Sequence, residues 1–398
     1  MNIKNLVFPV VFCIALAGCK DNENPYWHGG DEFFDTQHIY NDARFPNIVT
    51  ATDGSIIATW SRDSEYQVRR SEDGGRTWGT VNTVTYRNWW QDGYPGPGVH
   101  GGGVTVDENT GDILAFVEEF RPPVDAPLYV YRSADHGKSW ELQEVTIHPD
   151  KNGDVPSMHM QDTGITLQHG EHAGRLIRTT RVVGEYANAI YSDDGGRTWH
   201  TSDPFPANGT NEAAIAELSD GRIYFNSRRT SSDDGRSPLW RHTAWSYDGG
   251  HTWEGLEVSD VLPDGPQHHR YGMMGGLVRL PVEGHDILLF SNVDVPVDEE
   301  VDWGQRTSRR ERGTIWASFD GGKTWPVKRL VTQGSFGYSS LAVGREGTQS
   351  EGVIYMLYEG RSERMEGEHP GRFDSGHIVR FNLAWVTQGR DWREFLPE

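Results

Sequence analysis

Residues 192–199 read SDDGGRTW, and four variants of this octapeptide accompany it: SEDGGRTW at 71–78, SADHGKSW at 133–140, SYDGGHTW at 246–253 and SFDGGKTW at 318–325. Their starting points lie 54 to 72 residues apart. A motif that returns at such intervals marks a repeated supersecondary unit. Each copy falls between two strand-like runs, as in LYVYRS before and WELQEV after the second copy. The octapeptide therefore reads as a hairpin turn. Its Asp hydrogen-bonds turn backbone, its Gly takes positive φ, and its Trp anchors the hairpin in the core. Helical periodicity is short or absent, and Gly 47, Pro 20 and Trp 15 describe a turn-rich, aromatic-rich chain. The expected fold class is all-β, with no interdomain linker and no low-complexity segment.

A formal net charge of −21 argues against nucleic acid and anionic membrane surfaces as partners. A binder of anions must then concentrate arginines locally. The N-terminus is read apart from the fold. Met1 to Lys4 is a charged head, Leu6 to Leu16 an apolar run too short to span a bilayer, and Leu16-Ala17-Gly18-Cys19 a small-residue cleavage site. This LAGC resembles a bacterial lipoprotein processing box. It implies a signal peptide over 1–18, lipidation of Cys19, an acidic tether over 19–35 and attachment to the cell envelope, at the outer membrane. Cys13 and Cys19 are the chain's two cysteines. The domain expected over 36–398 thus has no disulfide, thiol nucleophile or cysteine metal site.

The five octapeptides resemble the Asp-box repeats of sialidase-type β-propellers. The resemblance implies six blades of four antiparallel strands, whose central mouth gathers loops from several blades. Five blades carry a box. The sixth is expected to close by joining N-terminal strands to a C-terminal strand, HIVRFNLAWV, at 377–386.

Chemistry gathers in GSFGYSSLAV at 334–343 and LYEG at 357–360. Tyr338 opens an apolar strand between small residues, and Glu359 ends the next strand. A phenol near a carboxylate and arginines has its proton affinity under control. Both segments resemble those in which sialidases carry a nucleophilic tyrosine and a glutamate that orients the first carboxylate-binding arginine. By the same resemblance ARFPNI at 43–48 supplies that arginine, Arg44. TNEAAIAELSDGRIYFNSRR at 210–229 supplies Glu212 as the base that serves the tyrosine and Arg228 as the second arginine, with Glu217 structural. RTSRRERGTIWASFDGG at 306–322 supplies the third, Arg310 or Arg309. HAGRLI at 172–177 and FNLAW at 381–385 extend the likeness over nearly the whole chain. Three guanidinium forks on one carboxylate would fix an acidic sugar, and sialidases depart from the two-carboxylate glycosidase pattern.

The likeness weakens where a sialidase keeps its general acid. The segment SRDSEYQVRRS, 61–71, is short, and Asp63 is its one aspartate. The next loop, DGYPGPGVHGGGVTVDENTG at 92–111, places His100 before three glycines. Such glycines let backbone approach a ligand, and a histidine exchanges protons near neutrality. Asp92, Tyr94, His159, Asp162, His268, His269 and Arg270 are further candidates. No metal-ligand spacing, nucleotide fingerprint or cofactor motif is readable. Three functions follow: hydrolysis of a terminal carboxylate-bearing sugar from an acidic oligosaccharide; β-elimination by a lyase or dehydratase from a terminal uronic acid of plant or algal glycans; or binding of acidic glycans without turnover.

Overall fold

The computed structural model describes residues 30–86, 99–119, 128–158, 161–230, 240–264, 272–295, 310–361 and 373–397. The expected signal peptide, Cys19, Asp92, Tyr94, His159, His268, His269, Arg270 and Arg309 lie outside them. Strand β1 (Phe34–Asn41) precedes the first complete sheet. Blade 1 is β2 (Arg44–Thr50), β3 (Ile56–Arg62), β4 (Glu65–Ser71) and β5 (Asn82–Tyr86). Blade 2 is β6 (Val99–Val106), β7 (Ile113–Glu119), β8 (Tyr129–Ser133) and β9 (Glu141–Gln143). Blade 3 holds β11 (Ile165–Thr166), β12 (Leu176–Val182), β13 (Tyr186–Ser192) and β14 (Thr198–Thr201), with a fifth strand, β10 (Thr146–His148), added in parallel outside β14.

Blade 4 is β15 (Thr210–Glu217), β16 (Ile223–Arg229), β17 (Trp240–Ser246) and β18 (Glu254–Pro263). Blade 5 is β19 (Leu277–Arg279), β20 (Leu288–Val293), β21 (Glu311–Ser318) and β22 (Val327–Ser335). In blade 6, β23 (Ser339–Val343), β24 (Ile354–Gly360) and β25 (Ser375–Phe381) are completed by β1, which runs antiparallel to β25. The innermost strands β2, β6, β11, β15, β19 and β23 face one another around the axis. This is the six-bladed β-propeller that the sequence predicts, with one strand more in blade 3.

The octapeptides occupy the turns between third and fourth strands, and each repeats one hydrogen-bond set. In blade 3, Ser192 Oγ donates to Asp194 Oδ1 (2.8 Å) and accepts from Gly196 N (2.9 Å), while Arg197 N and Thr198 N donate to Asp194 Oδ1 (3.0 and 2.9 Å). Gly195 and Gly196 hold φ of 72° and 83°, where a side chain is strained. Trp199, Trp253 and Trp325 are buried between blades, whereas Trp78 and Trp140 are half-buried. Trp325, for example, packs beside Phe290 of its own blade and Tyr224 of the neighbouring blade 4, in one cluster with Trp245 and Leu262. Each such buried side chain contributes about 1.5–3 kcal/mol. Blade 6 has no box for a topological reason: its third and fourth strands come from opposite ends of the chain. The expected C-terminal strand is also shorter than read. It stops at Phe381; Asn382 caps a short helix, α1 (Leu383–Val386), by accepting from Trp385 N, and all four helical residues are buried. The cap side chain ends the strand where the sequence pattern alone continued it.

Candidate active site

The starts of the inner strands and the ends of the second strands share one mouth of the ring. Arg44 opens β2, Glu212 lies near the start of β15, Arg228 near the end of β16, Tyr338 just before β23, and Glu359 near the end of β24. Three inner strands bulge at this mouth: β2 between Arg44 and Asn47, β6 between Gly101 and Val104, and β15 between Thr210 and Ala213. A bulge re-aims side chains and sharpens twist. The β15 bulge brings Glu212 level with Arg228. In the β2 bulge Phe45 takes φ of 64°, strained for a non-glycine residue.

Tyr338 and Glu212 are the core of the site. Tyr338 Oη donates to Glu212 Oε1 at 2.7 Å, and Arg228 Nη1 donates both to Glu212 Oε2 (2.5 Å) and to Tyr338 Oη (3.1 Å). Burial alone would raise the Glu212 proton affinity. The Arg228 and Arg181 guanidiniums, with hydrogen bonds from Tyr338 and Arg228, outweigh it and hold the carboxyl down at about 2. Tyr338 moves the other way: burial and the Glu212 charge raise it above the ordinary phenol, while Arg228, Arg310 and Arg44 pull it back. The phenol is therefore neutral at pH 7 and already bonded to an ionised acceptor.

Arginines enclose the ring. The Arg310 and Arg44 guanidinium carbons lie 5.1 and 5.5 Å from the Tyr338 ring centroid. Burial, together with the Arg228 and Arg44 charges, lowers the Arg310 proton affinity. Glu359 fixes Arg44 from below: Arg44 Nε and Nη2 donate to its two oxygens at 3.1 and 2.8 Å. The same carboxylate accepts from Phe45 N (2.8 Å) and Tyr338 N (3.2 Å), so it ties two blades together. Gly337 has to be glycine here, because a Cβ would come within 2.7 Å of Glu359 Oε2. The Arg44 side chain keeps 33% of its surface exposed, facing the mouth.

Other expected residues fall elsewhere. Asp63 sits in the two-residue turn between β3 and β4, exposed, at φ of 50°, on the same rim as Arg44. No hydrogen bond to its carboxylate comes from the described residues. His100 is wholly buried with its ring 4.1 Å from Phe45, and neither Tyr338 nor Glu212 hydrogen-bonds to it. The glycines after it serve packing: a Cβ on Gly101, Gly102 or Gly103 would meet Tyr66, Met158 or Arg178 within 3 Å. The space expected for a ligand is filled by protein. Asp162 is buried on the axis, accepting from Leu277 N and Ser340 Oγ (3.0 and 2.8 Å), and takes no part in the Tyr338 cluster. Glu217, at the far end of β15, accepts from Gln168 N and His169 N. A cavity of about 610 Å³ opens at that opposite mouth, lined by Thr50, Glu217, Arg279 and Arg345 among others. Among the described residues, no three His, Cys, Asp or Glu side chains form a metal-binding group.

One site residue was missed by sequence reasoning. Arg181, near the end of β12, is 4% exposed and places Nη1 3.5 Å from Glu212 Oε1. Its position at the mouth end of a second strand, equivalent to that of Arg228 in the next blade, was the available signal.

The BNR repeat-like domain family matches residues 54–350. The chain belongs to that family, the BNR-repeat β-propellers of the sialidase superfamily. A sialidase of Micromonospora viridifaciens is 30% identical over a 423-residue alignment that covers 96% of this chain and 59% of the relative. The chain thus spans about three-fifths of that protein's length. Among solved structures, the Hadza microbial sialidase Hz136 superposes with a TM-score of 0.61 at 26% identity, over 87% of this chain and 66% of its own. The intramolecular trans-sialidase of Ruminococcus gnavus, at 17% identity, shares the fold with a TM-score of 0.64 over 88% of this chain and 98% of its own.

Proposed function

We propose that the protein is an exo-acting glycoside hydrolase of sialidase type, releasing a terminal carboxylate-bearing sugar from an acidic oligosaccharide. The observation that carries this reading is a neutral phenol hydrogen-bonded to a buried, ionised glutamate inside a ring of three arginines, Arg44, Arg228 and Arg310. The sialidases among its relatives support it. In this reading the guanidiniums grip the sugar carboxylate as charge-assisted forks. Tyr338 Oη then bonds to the anomeric carbon as the glycosidic C–O bond breaks. The phenolic proton passes to Glu212 Oε1 along the existing hydrogen bond, and the leaving oxygen takes a proton from Asp63. Water next attacks the anomeric carbon and returns a proton to Asp63, the bond to Tyr338 Oη breaks, and the phenolate takes its proton back from Glu212. A neutral nucleophile avoids bringing an anion to a carbon that already carries a carboxylate.

Tyr338→Phe tests the assignment: hydrolysis of a fluorogenic aryl sialoside falls by roughly three orders of magnitude or more, with folding intact. Retained turnover removes Tyr338 from the nucleophile role. Asp63→Asn separates the acid: natural sialosides, with poor leaving groups, lose far more rate than the aryl substrate does. Equal losses on both would remove Asp63 from that role. In the elimination reading Tyr338 or His100 takes the proton beside the carboxylate, and burial of His100 leaves Tyr338 as its base. A product with no new carbon–carbon double bond excludes elimination. We also infer an envelope lipoprotein anchored through Cys19; Cys19→Ala would leave the protein unlabelled by radioactive palmitate.

A further inference from the structure

We propose that Arg181 is a positioning residue for the proton transfer between Tyr338 and Glu212: it holds the acceptor oxygen ionised and in place, and so sets the acid limit of activity. The inference rests on the reading of Glu212 as the proton acceptor. The geometry behind it is specific. Arg181 Nη1 lies 3.5 Å from Oε1, the same oxygen that receives the Tyr338 hydrogen, whereas Arg228 bonds the other oxygen, Oε2. Each carboxylate oxygen thus has its own guanidinium. Arg228 also touches the phenol and is assigned to the substrate carboxylate. Arg181 makes no hydrogen bond to the phenol, and its charge acts on the acceptor.

Its frame joins blades 2 and 3. Arg181 and Ser157 exchange backbone hydrogen bonds (2.8 and 3.0 Å), and Ser157 Oγ and Met158 N both donate to Glu118 near the end of β7 (2.8 and 2.5 Å). Among the described residues, the charged and titratable groups facing Glu212 are Arg228 from β16, Arg181 from β12 and Tyr338 ahead of β23. Among the described residues, those facing Arg181 are Glu212, Tyr338, Arg228 and Glu118. Those facing Tyr338 add Arg310 and Arg44. Within this set Arg181 is the cation that opposes protonation of Oε1 without competing for the phenol. Removing it leaves a buried carboxylate with half its charge compensation, and desolvation then favours the protonated form. A protonated Glu212 cannot accept from Tyr338, so activity fails at a higher pH.

The test is a pair of titrations on the folded protein. In wild type and Arg181→Met, the Glu212 carboxyl is followed by NMR of δ-carbon-labelled glutamate, with Glu212→Gln assigning the signal. The kcat/KM profile on an aryl sialoside is recorded beside it. Arg181→Met moves both the carboxyl titration and the acid limb up by about one pH unit or more, with KM little changed, and Arg181→Lys returns both toward wild type. Should the Met variant not fold, Arg181→Gln keeps a donor without the charge and is expected to show the same shift. An unmoved Glu212 titration in a folded neutral variant, or a Lys variant no better than Met, overturns the proposal. A wild-type protein inactive on every sialoside would sink the hydrolase reading, while the carboxyl titration would still decide the role of Arg181.

Discussion

At the residue scale, the proton affinities of Glu212, Tyr338 and the arginines beside them are set by one another. Glu212 is depressed, so its ionised form adds stability above the ordinary carboxylate range, and that contribution is lost as pH falls from about 4.5 toward 2. Glu212→Gln keeps shape and one acceptor but no base. It is expected to cut kcat on a fluorogenic sialoside while sparing KM, and a KM-only change would speak against a proton-transfer role. Arg310 is bound to the site by position over the Tyr338 ring and by a weak bond to Gly272 O (3.4 Å). Arg310→Ala removes charge-assisted contacts worth about 1.5–3 kcal/mol and should raise KM about 10- to 100-fold in steady-state kinetics. Tyr338, Glu212, Arg44, Arg228 and Glu359 were nominated from the sequence through short motifs that resemble those of sialidases, and the third arginine was narrowed to Arg310 or Arg309, of which Arg309 lies outside the described residues. Arg181 was not nominated. It lies in an ordinary buried strand, and its role exists only because β12 ends beside β15.

At the element scale, the box turns and the strand bulges divide the labour. The boxes hold blades together far from the site. Asp194→Ala strips one acceptor from two backbone N–H groups and a hydroxyl, and should cost about 1–2 kcal/mol in urea unfolding. Activity per folded molecule should be unchanged, since the turn lies at the opposite end of its strand from the mouth. The bulges were invisible beforehand. Nothing in NEAA or RFPN states that one strand carries an extra residue; that depends on pairing with the neighbouring strand. The same limit explains the glycines after His100. Their sequence suggests access for a ligand, and only packing shows Tyr66, Met158 and Arg178 filling the room.

At the scale of the whole molecule, the ring is locked twice. β1 closes blade 6 from the other end of the chain, and the segment ahead of β11 ties blades at the axis. Asn47 bridges Gln161 O and Val104 N, Gln161 accepts from Ala213 N, and Asp162 accepts from Leu277 N and Ser340 Oγ. Blades 1, 2, 4, 5 and 6 thus meet blade 3 through two adjacent side chains and Asn47. Burial raises the Asp162 carboxyl to about 7 despite these donors. The folded state keeps the proton where the unfolded chain has lost it, so stability falls as pH rises from about 4 to about 7. Asp162→Asn removes this slope. Urea unfolding at pH 4.5 and 7.5 should show a smaller difference between the two pH values in the variant than in wild type; equal differences would refute the titration.

The octapeptides, through their resemblance to Asp-box repeats, were enough for the propeller, since each encodes a local turn and a local anchor. The motifs were enough to nominate the phenol, its base and the arginines. Which of them touch was decided by ring closure. Residues 126 apart, such as Glu212 and Tyr338, share a hydrogen bond because six sheets converge on one axis. That convergence, with its bulges and its buried Arg181, is a property of packing between blades, which no single stretch of chain contains.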